Sequence, residues 1–330
     1  MVLSNDIARG HPSPDNVQTQ PDARKKRSLL NRFVWALIGA VLSAGTARSA
    51  AAIVTRADST IVILLGTGNP VPDPDAAGPA TAIVVGSRLF LFDAGAGVMR
   101  RMRAAKLPMI GPTALFITHL HSDHTLGYPD VIFTTWVMGR RNPLQVFGPH
   151  GLRAMTDHIL AAWSEDIAIR TEGLEHKPSG SYAVSVHEIA PGVVYDSAGV
   201  KITAIPVLHG SWKEAYGYRV DTPDRSIVLS GDTRPSPAIV EASRGVDVLI
   251  HEAYPERVNG TPSDSAFARY RRAFHTSDVE LGRLAAAAKP KMLVLYHHAT
   301  PADGGASAIA RIRLEGYQGR VIFGKDLDRF

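Results

Sequence analysis

The chain has 330 residues, 45% of them apolar and 20% charged. That is enough to bury a sizeable core, and it excludes a disordered or fibrous chain. There is no cysteine, so disulfide scaffolds and thiolate metal sites are excluded and any metal must take nitrogen and oxygen ligands. The formal net charge is +5, but residues 1–52 hold seven Lys/Arg against three Asp, which leaves only about +1 for the remainder. On that balance a nucleic-acid partner is unexpected, and a small-molecule substrate is favoured.

The chain starts with a polar leader that includes Arg24-Lys25-Lys26-Arg27. An apolar run over residues 33–42 follows, then small residues up to Ala52. Basic, apolar, small is the order of a secretory signal, and the run is too short to span a bilayer comfortably. Lys26-Arg27-Ser28-Leu29-Leu30 loosely resembles a twin-arginine export signal. Residues 1–52 are therefore expected to be a signal peptide with a polar leader, and residues 53–330 a periplasmic or secreted domain with no stable membrane span.

Residues 59–65 read as a strand closed by the glycine-rich turn Gly66-Thr67-Gly68-Asn69-Pro70. Residues 82–85 and 88–92 read as a hairpin, and Asp93-Ala94-Gly95-Ala96-Gly97 opens a helix through about Ala105. A short strand over 113–118 leads into Thr118-His119-Leu120-His121-Ser122-Asp123-His124. Residues 127–139 are partly helical, 144–147 a strand, and 151–168 one amphipathic helix. After an uneven stretch over 171–200, strands end in turn at His209, Asp232, His251-Glu252 and His297-His298. Thr276 is placed to cap a helix running to Ala288. A helix over 305–315 and a last strand over 320–323 complete the chain. The pattern fits two sheets packed face to face with helices outside, in one domain with an active site on loops at one edge.

The His motif carries the chemistry. His119 and His121 alternate at a strand end, so both imidazoles fall on one side and Leu120 on the other. Asp123 and His124 follow after a turn. Four donors in six positions exceed what one ion needs, because zinc usually takes four ligands in all. The surplus points to two metals about 3.5–4 Å apart. Further donors are available at His209, Asp232 and His297 or His298, and a carboxylate such as Asp232 can bridge two ions. Such a pair lowers the pKa of a shared water toward about 7. Asp123 is both a ligand and a plausible orienting base. Ser122 has no free histidine to activate it.

Taken together, Thr-His-Leu-His-Ser-Asp-His, His209, Gly231-Asp232-Thr233 and Leu295-Tyr296-His297 resemble the metallo-β-lactamase fold superfamily over roughly residues 60–325. Residues 65–70, Phe92-Asp93-Ala94-Gly95, Tyr216-Gly217-Tyr218, His251-Glu252-Ala253 and His275-Thr276 resemble its ribonuclease Z and arylsulfatase-like branch. The resemblance implies a four-layer αββα sandwich and two Zn2+ per chain. It implies one metal site at His119, His121 and His209 and another at Asp123, His124 and His297, with Asp232 between them and His298 as runner-up for His297. It also implies that Asp93 supports a ligand histidine. Glu252 would orient His275, which touches a non-bridging oxygen or protonates the leaving group.

The expected function is that of an exported dinuclear zinc hydrolase acting on small esters, arylsulfatase-like or phosphodiesterase-like. Alternatives are a lactonase, a ribonuclease Z-type endonuclease, or an iron-dependent sulfur dioxygenase. The intact His121 favours hydrolysis, because the flavin-partnered di-iron members of the fold typically carry Glu there. Trp136, Trp163, Trp212, Tyr216 and Tyr254 are candidates for an aromatic rim. His150 and His251 are expected to be buried or near the site, and His176 and His187 to have no chemical role. The family also often forms dimers.

Overall fold

The computed structural model describes residues 59–256, 265–299 and 301–330. The leader expected over residues 1–52 lies outside the described residues. No described helix is long and apolar enough to cross a membrane.

The first half of the chain builds one sheet. Strands β1 (Thr60–Gly66), β2 (Ala80–Val85), β3 (Arg88–Phe92), β4 (Ala114–Phe116), β5 (Leu144–Gly148) and β6 (Val184–Glu188) lie side by side in chain order. Helices α1 (Val98–Ala104), α2 (Ser122–Thr125), α3 (Tyr128–Val137), α4 (Leu152–Ala162) and α5 (Ser164–Glu172) connect them. The second half builds the other sheet from β7 (Gly192–Ser197), β8 (Val200–Pro206), β9 (Tyr216–Asp221), β10 (Ser226–Leu229), β11 (Val248–Glu252), β12 (Met292–Tyr296) and β13 (Arg320–Phe323), again side by side. Its helices are α6 (Pro237–Ala242), α7 (Ala266–Phe274), α8 (Asp278–Ala288) and α9 (Ala306–Leu314). In both sheets the early pairings are antiparallel and the later ones parallel.

Period-two side-chain alternation sorts the apolar residues into layers. Val62, Leu64, Phe90, Phe92, Phe116, Tyr218, Ile250 and Val294 face inward and form the core between the sheets. Ile63, Leu65, Leu89 and Leu91 face the other way and pack on Val98, Met102, Val131 and Trp136 of α1 and α3. Leu249, Leu293 and Leu295 do the same against Leu281, Leu284 and Ile312 of α8 and α9. The result is the helix–sheet–sheet–helix sandwich of the metallo-β-lactamase fold.

Two helix expectations are corrected. Residues 151–168 are not one helix, because the backbone turns at Trp163, where α4 ends and α5 begins. The cap of α8 is Ser277 rather than Thr276: Ser277 and Glu280 form a reciprocal capping box. The Thr276 hydroxyl instead donates to Thr233 O. The apolar periodicity of α6 and α7 is too short to have been read from the sequence.

Candidate metal centre

The parallel ends of β4, β10, β11 and β12, together with the end of β8, open onto one edge of the sandwich, and each ends in or is followed within three residues by a donor: His119, Asp232, Glu252, His297 and His209. Gly231 makes the turn that delivers Asp232. Its φ is +59°, and a β-carbon there would meet Tyr216 O at 2.6 Å, so only glycine fits. His297 leaves β12 with a φ of 53°, a left-handed conformation that costs free energy in a non-glycine residue. That turn sends consecutive histidines opposite ways. His297 Nε2 comes 3.1 Å from Asp123 Oδ2 and 3.4 Å from Asp232 Oδ2. His298 Nε2 donates to Gly324 O, and its ring packs on Phe323.

The donors gather into two sets that share Asp232 as a neighbour. In one, His119 Nε2 lies 2.9 Å from His121 Nδ1, which lies 3.0 Å from His209 Nε2. Asp232 Oδ2 stands 4.0 and 3.8 Å from the His119 and His209 nitrogens. In the other, Asp123, His124 and His297 bring ligand atoms within 4.8 Å of one another, with Asp232 Oδ1 3.4 Å from His124 Nε2. His124 Nε2 and Asp232 Oδ1 are buried with no hydrogen-bond partner. Burying polar atoms unpaired is costly, and a divalent cation between them would satisfy both. The set is all imidazole and carboxylate, and it fits two such ions.

Outer partners hold the rings. His124 Nδ1 donates to Asp93 Oδ2 at 2.8 Å. The Thr118 hydroxyl and backbone N–H both donate to the same carboxylate. His119 Nδ1 lies 3.0 Å from the Thr118 hydroxyl, and His209 Nδ1 donates to Phe274 O at 2.7 Å. These contacts turn the opposite nitrogens of His119, His124 and His209 toward the centre, where those of His119 and His209 meet His121 and that of His124 has no hydrogen-bond partner.

Electrostatics follow the geometry. Burial, assisted by neighbouring histidines, pushes the His119 pKa well below its ordinary value. Burial also lowers His209 to about 4. His124 goes the other way: burial opposes its charge, but Asp232 and Asp93 outweigh burial and hold it well above the usual imidazole range. Burial works against the Asp232 carboxylate too, yet His297 and His124 keep it well below the usual range. The site is thus a buried anion surrounded by histidines, ready to exchange protons for metal.

Glu252 and His275 stand beside this cluster. Glu252 Oε1 accepts from Thr233 N at 2.6 Å, and Oε2 pairs with His275 Nδ1 at 2.7 Å. Both carboxylate oxygens thus have partners, and ligand atoms of Asp232, Glu252, His275 and His297 also lie within 4.8 Å of one another. Burial disfavours charge on His275, but Glu252 raises it to about 9. With Nδ1 held, Nε2 remains for the cleft, and the side chain is 15% exposed.

The aromatic expectations divide. Trp136 and Tyr216 are buried in the cores, and Trp163 packs on Phe133 away from the site. Tyr254 lies under the Arg271 guanidinium. Trp212 does reach the centre, with its indole nitrogen 2.8 Å from His121 Nε2. Tyr270 and Phe274 were missed. Phe274 sits on Gly210, whose φ of +55° and absent β-carbon make room for its ring. His150 is exposed and paired with Glu188, while His251 is fully buried. His187 stacks on Phe147 at the far strand. A groove of about 560 Å³ opens beside Asp123, between residues 69–78 and α1.

Fold and donor set together define a dinuclear metal-binding hydrolase. The model of the Beta-lactamase superfamily domain matches residues 88–298, and the chain belongs to that superfamily. Within it the chain is 36% identical over 274 residues to ribonuclease Z of Mycobacterium sp. strain KMS, covering 81% of this chain and 94% of the relative. The fold matches the Bacillus subtilis metallo-β-lactamase fold protein YhfI with a TM-score of 0.62, at 18% identity, covering 83% of this chain and 99% of that one. It matches the short form of human tRNase Z with a TM-score of 0.61, at 23% identity, covering 82% and 98%. These findings correct one expectation: net charge makes a nucleic-acid partner unexpected, yet the matched Mycobacterium relative is a ribonuclease by name and the human structure a tRNase. Net charge averages over the surface, whereas recognition is local. Helix α7 alone carries Arg269, Arg271 and Arg272 and no acidic residue.

Proposed function

We propose that the chain is a zinc-dependent phosphodiesterase of the ribonuclease Z type that cleaves RNA. One observation carries this reading: the 36% identity that spans 94% of a ribonuclease Z. The Glu252–His275 pair beside the centre supports it. His119, His121 and His209 would hold one ion and Asp123, His124 and His297 the other, with Asp232 between. An imidazole-rich nitrogen and oxygen set suits zinc. Two bound ions supply an activated water and neutralise phosphate charge. Asp123 orients the attacking water, Glu252 fixes His275 through Nδ1, and His275 delivers a proton from Nε2 to the leaving oxygen. Asp93 keeps His124 and, through Thr118, His119 in their bonding orientations.

Residues 1–52 are carried in the same proposal as an export leader, which would place the RNA it meets outside the cytoplasm. Cell fractionation with the intact chain tests that. The leader, together with Trp212 beside His121, also favours a second reading, an arylsulfatase-like hydrolase of aryl esters. One panel separates the two. Purified protein is offered a precursor tRNA transcript, bis-p-nitrophenyl phosphate and p-nitrophenyl sulfate, each with and without chelator. Chelator-sensitive cutting of the transcript is expected. Turnover of the sulfate with no cutting of RNA would replace the first reading with the second. Metal analysis of protein purified without added metal should give about two zinc per chain; one iron and no zinc would count against it.

A further inference from the structure

The turn that carries His209 also carries an indole. Trp212 N–H donates to His209 O at 3.1 Å, closing a four-residue turn over 209–212. The turn sets Trp212 edge-on to His121, with ring centres 5.0 Å apart at 88°. The indole Nε1 lies 2.8 Å from His121 Nε2.

These contacts fix where each imidazole keeps its proton. Indole N–H is a donor only, so His121 Nε2 accepts. The Thr118 hydroxyl gives its proton to Asp93, so His119 Nδ1 donates to that hydroxyl. His209 Nδ1 donates to Phe274 O. Nε2 of His119 and Nε2 of His209 are therefore both lone pairs, and both meet His121 Nδ1, at 2.9 and 3.0 Å. A neutral His121 that accepts at Nε2 carries its one proton on Nδ1. That proton lies between the two lone pairs, and the Trp212 donor is what keeps it there.

To hold a cation, the same three nitrogens must each offer a lone pair. His119 and His209 do so unchanged. His121 must give up the proton on Nδ1, and a neutral imidazole that ligates through Nδ1 is protonated on Nε2. His121 is half-buried, so water can take the first proton and return one to Nε2. That N–H then faces the indole N–H, donor against donor, and the 2.8 Å contact is lost. The indole has room to leave. It is 36% exposed and borders a cavity of about 320 Å³, lined also by Leu120, Pro149, His150 and Lys213.

We propose that Trp212 is a latch on the metal centre: it holds His121 in the tautomer that does not ligate, and it is released toward this cavity when His121 turns the Nδ1 lone pair to a cation. Loading the centre thereby reshapes the rim beside it. The inference depends on the set His119, His121 and His209, and not on which substrate is cut.

The test is the Trp212 indole N–H resonance, followed by 1H–15N NMR on full-length protein stripped with chelator and then titrated with zinc. The spectrum of Trp212→Phe identifies the signal, with Trp212→Tyr in its place if circular dichroism shows that the first variant does not fold. Saturating zinc should move the resonance upfield and speed its exchange with water, as the acceptor is lost. Trp212→Phe keeps an aromatic ring but removes a bond made only before loading. Its zinc affinity, measured by competition with a chromophoric chelator, should rise about 2–10-fold. A resonance unmoved at full zinc occupancy overturns the latch. A downfield move overturns it too, by showing that His121 ligates with Nε2 unprotonated and keeps Trp212 as its donor. Zinc affinity unchanged or weakened in the folded variant does the same. Wild-type protein that binds no zinc removes the metal centre itself, and the latch with it.

Discussion

The metal centre and helix α7 lie in contact but are built in opposite ways. In the centre, His119, His124, His209 and Asp232 are buried, and the outward nitrogens of the three histidines are tied to Thr118, Asp93 and Phe274 O. Along α7, Phe267 and Tyr270 stand in water. The first arrangement fixes donor positions to a fraction of an ångström, as chemistry requires. The second leaves surface uncovered, where no such precision is needed. Substitutions in the centre should therefore act on kcat and metal content.

The sharpest way to break that division is at Asp232. Asp232→Asn keeps the shape but removes the anion that Nε2 atoms of His119, His124, His209 and His297 all approach within 4.0 Å. Activity should fall by at least about 10³-fold, and metal analysis should find both sites depleted. Full metal occupancy in this variant would mean that Asp232 is not a bridge.

Next in size is His275→Ala, which should lower kcat by about 10²–10⁴-fold with metal content unchanged. This pair also sets a pH limit. Glu252 holds His275 protonated up to about 9, so its proton is available below that pH and lost as pH rises through it. Bound cations move the limit lower, never higher. The wild-type kcat should fall on the alkaline side, and His275→Ala should lack that fall. A metal-depleted His275→Ala would instead make His275 a ligand. Asp93→Asn should have a smaller effect, weakening metal affinity by about 10–100-fold, measured by competition with a chromophoric chelator.

The same division explains what could be read from the sequence. His119, His209 and Asp232 each come three residues after a strand, and His121, Asp123 and His124 crowd behind His119 in one short motif, so these six stand out without coordinates. The spacing after Leu293-Val294-Leu295 also favours His297 over His298, and the left-handed turn after β12 that sends the two rings opposite ways is the part the sequence does not show. Helix α7 was illegible for a different reason. It is nine residues long, its aromatics alternate with arginines, and nothing local says that Phe274 will rest on Gly210, 64 positions away in the chain. Net charge misled because it cannot see that three arginines share one helix.

The smallest expected effect tests whether the centre depends on the start of α8. Ser277 caps α8 two residues after His275, and Thr276 between them is anchored to Thr233 O. Ser277→Ala removes the cap and half of the box, and should cost about 0.5–2 kcal/mol of stability, a fall of a few degrees in Tm. His275 is held by Glu252 and the Thr276 anchor by Thr233, neither of which involves the cap. Therefore kcat below the melting transition should change by less than about twofold. A loss of kcat comparable to that of His275→Ala would show that the start of α8 itself positions the acid.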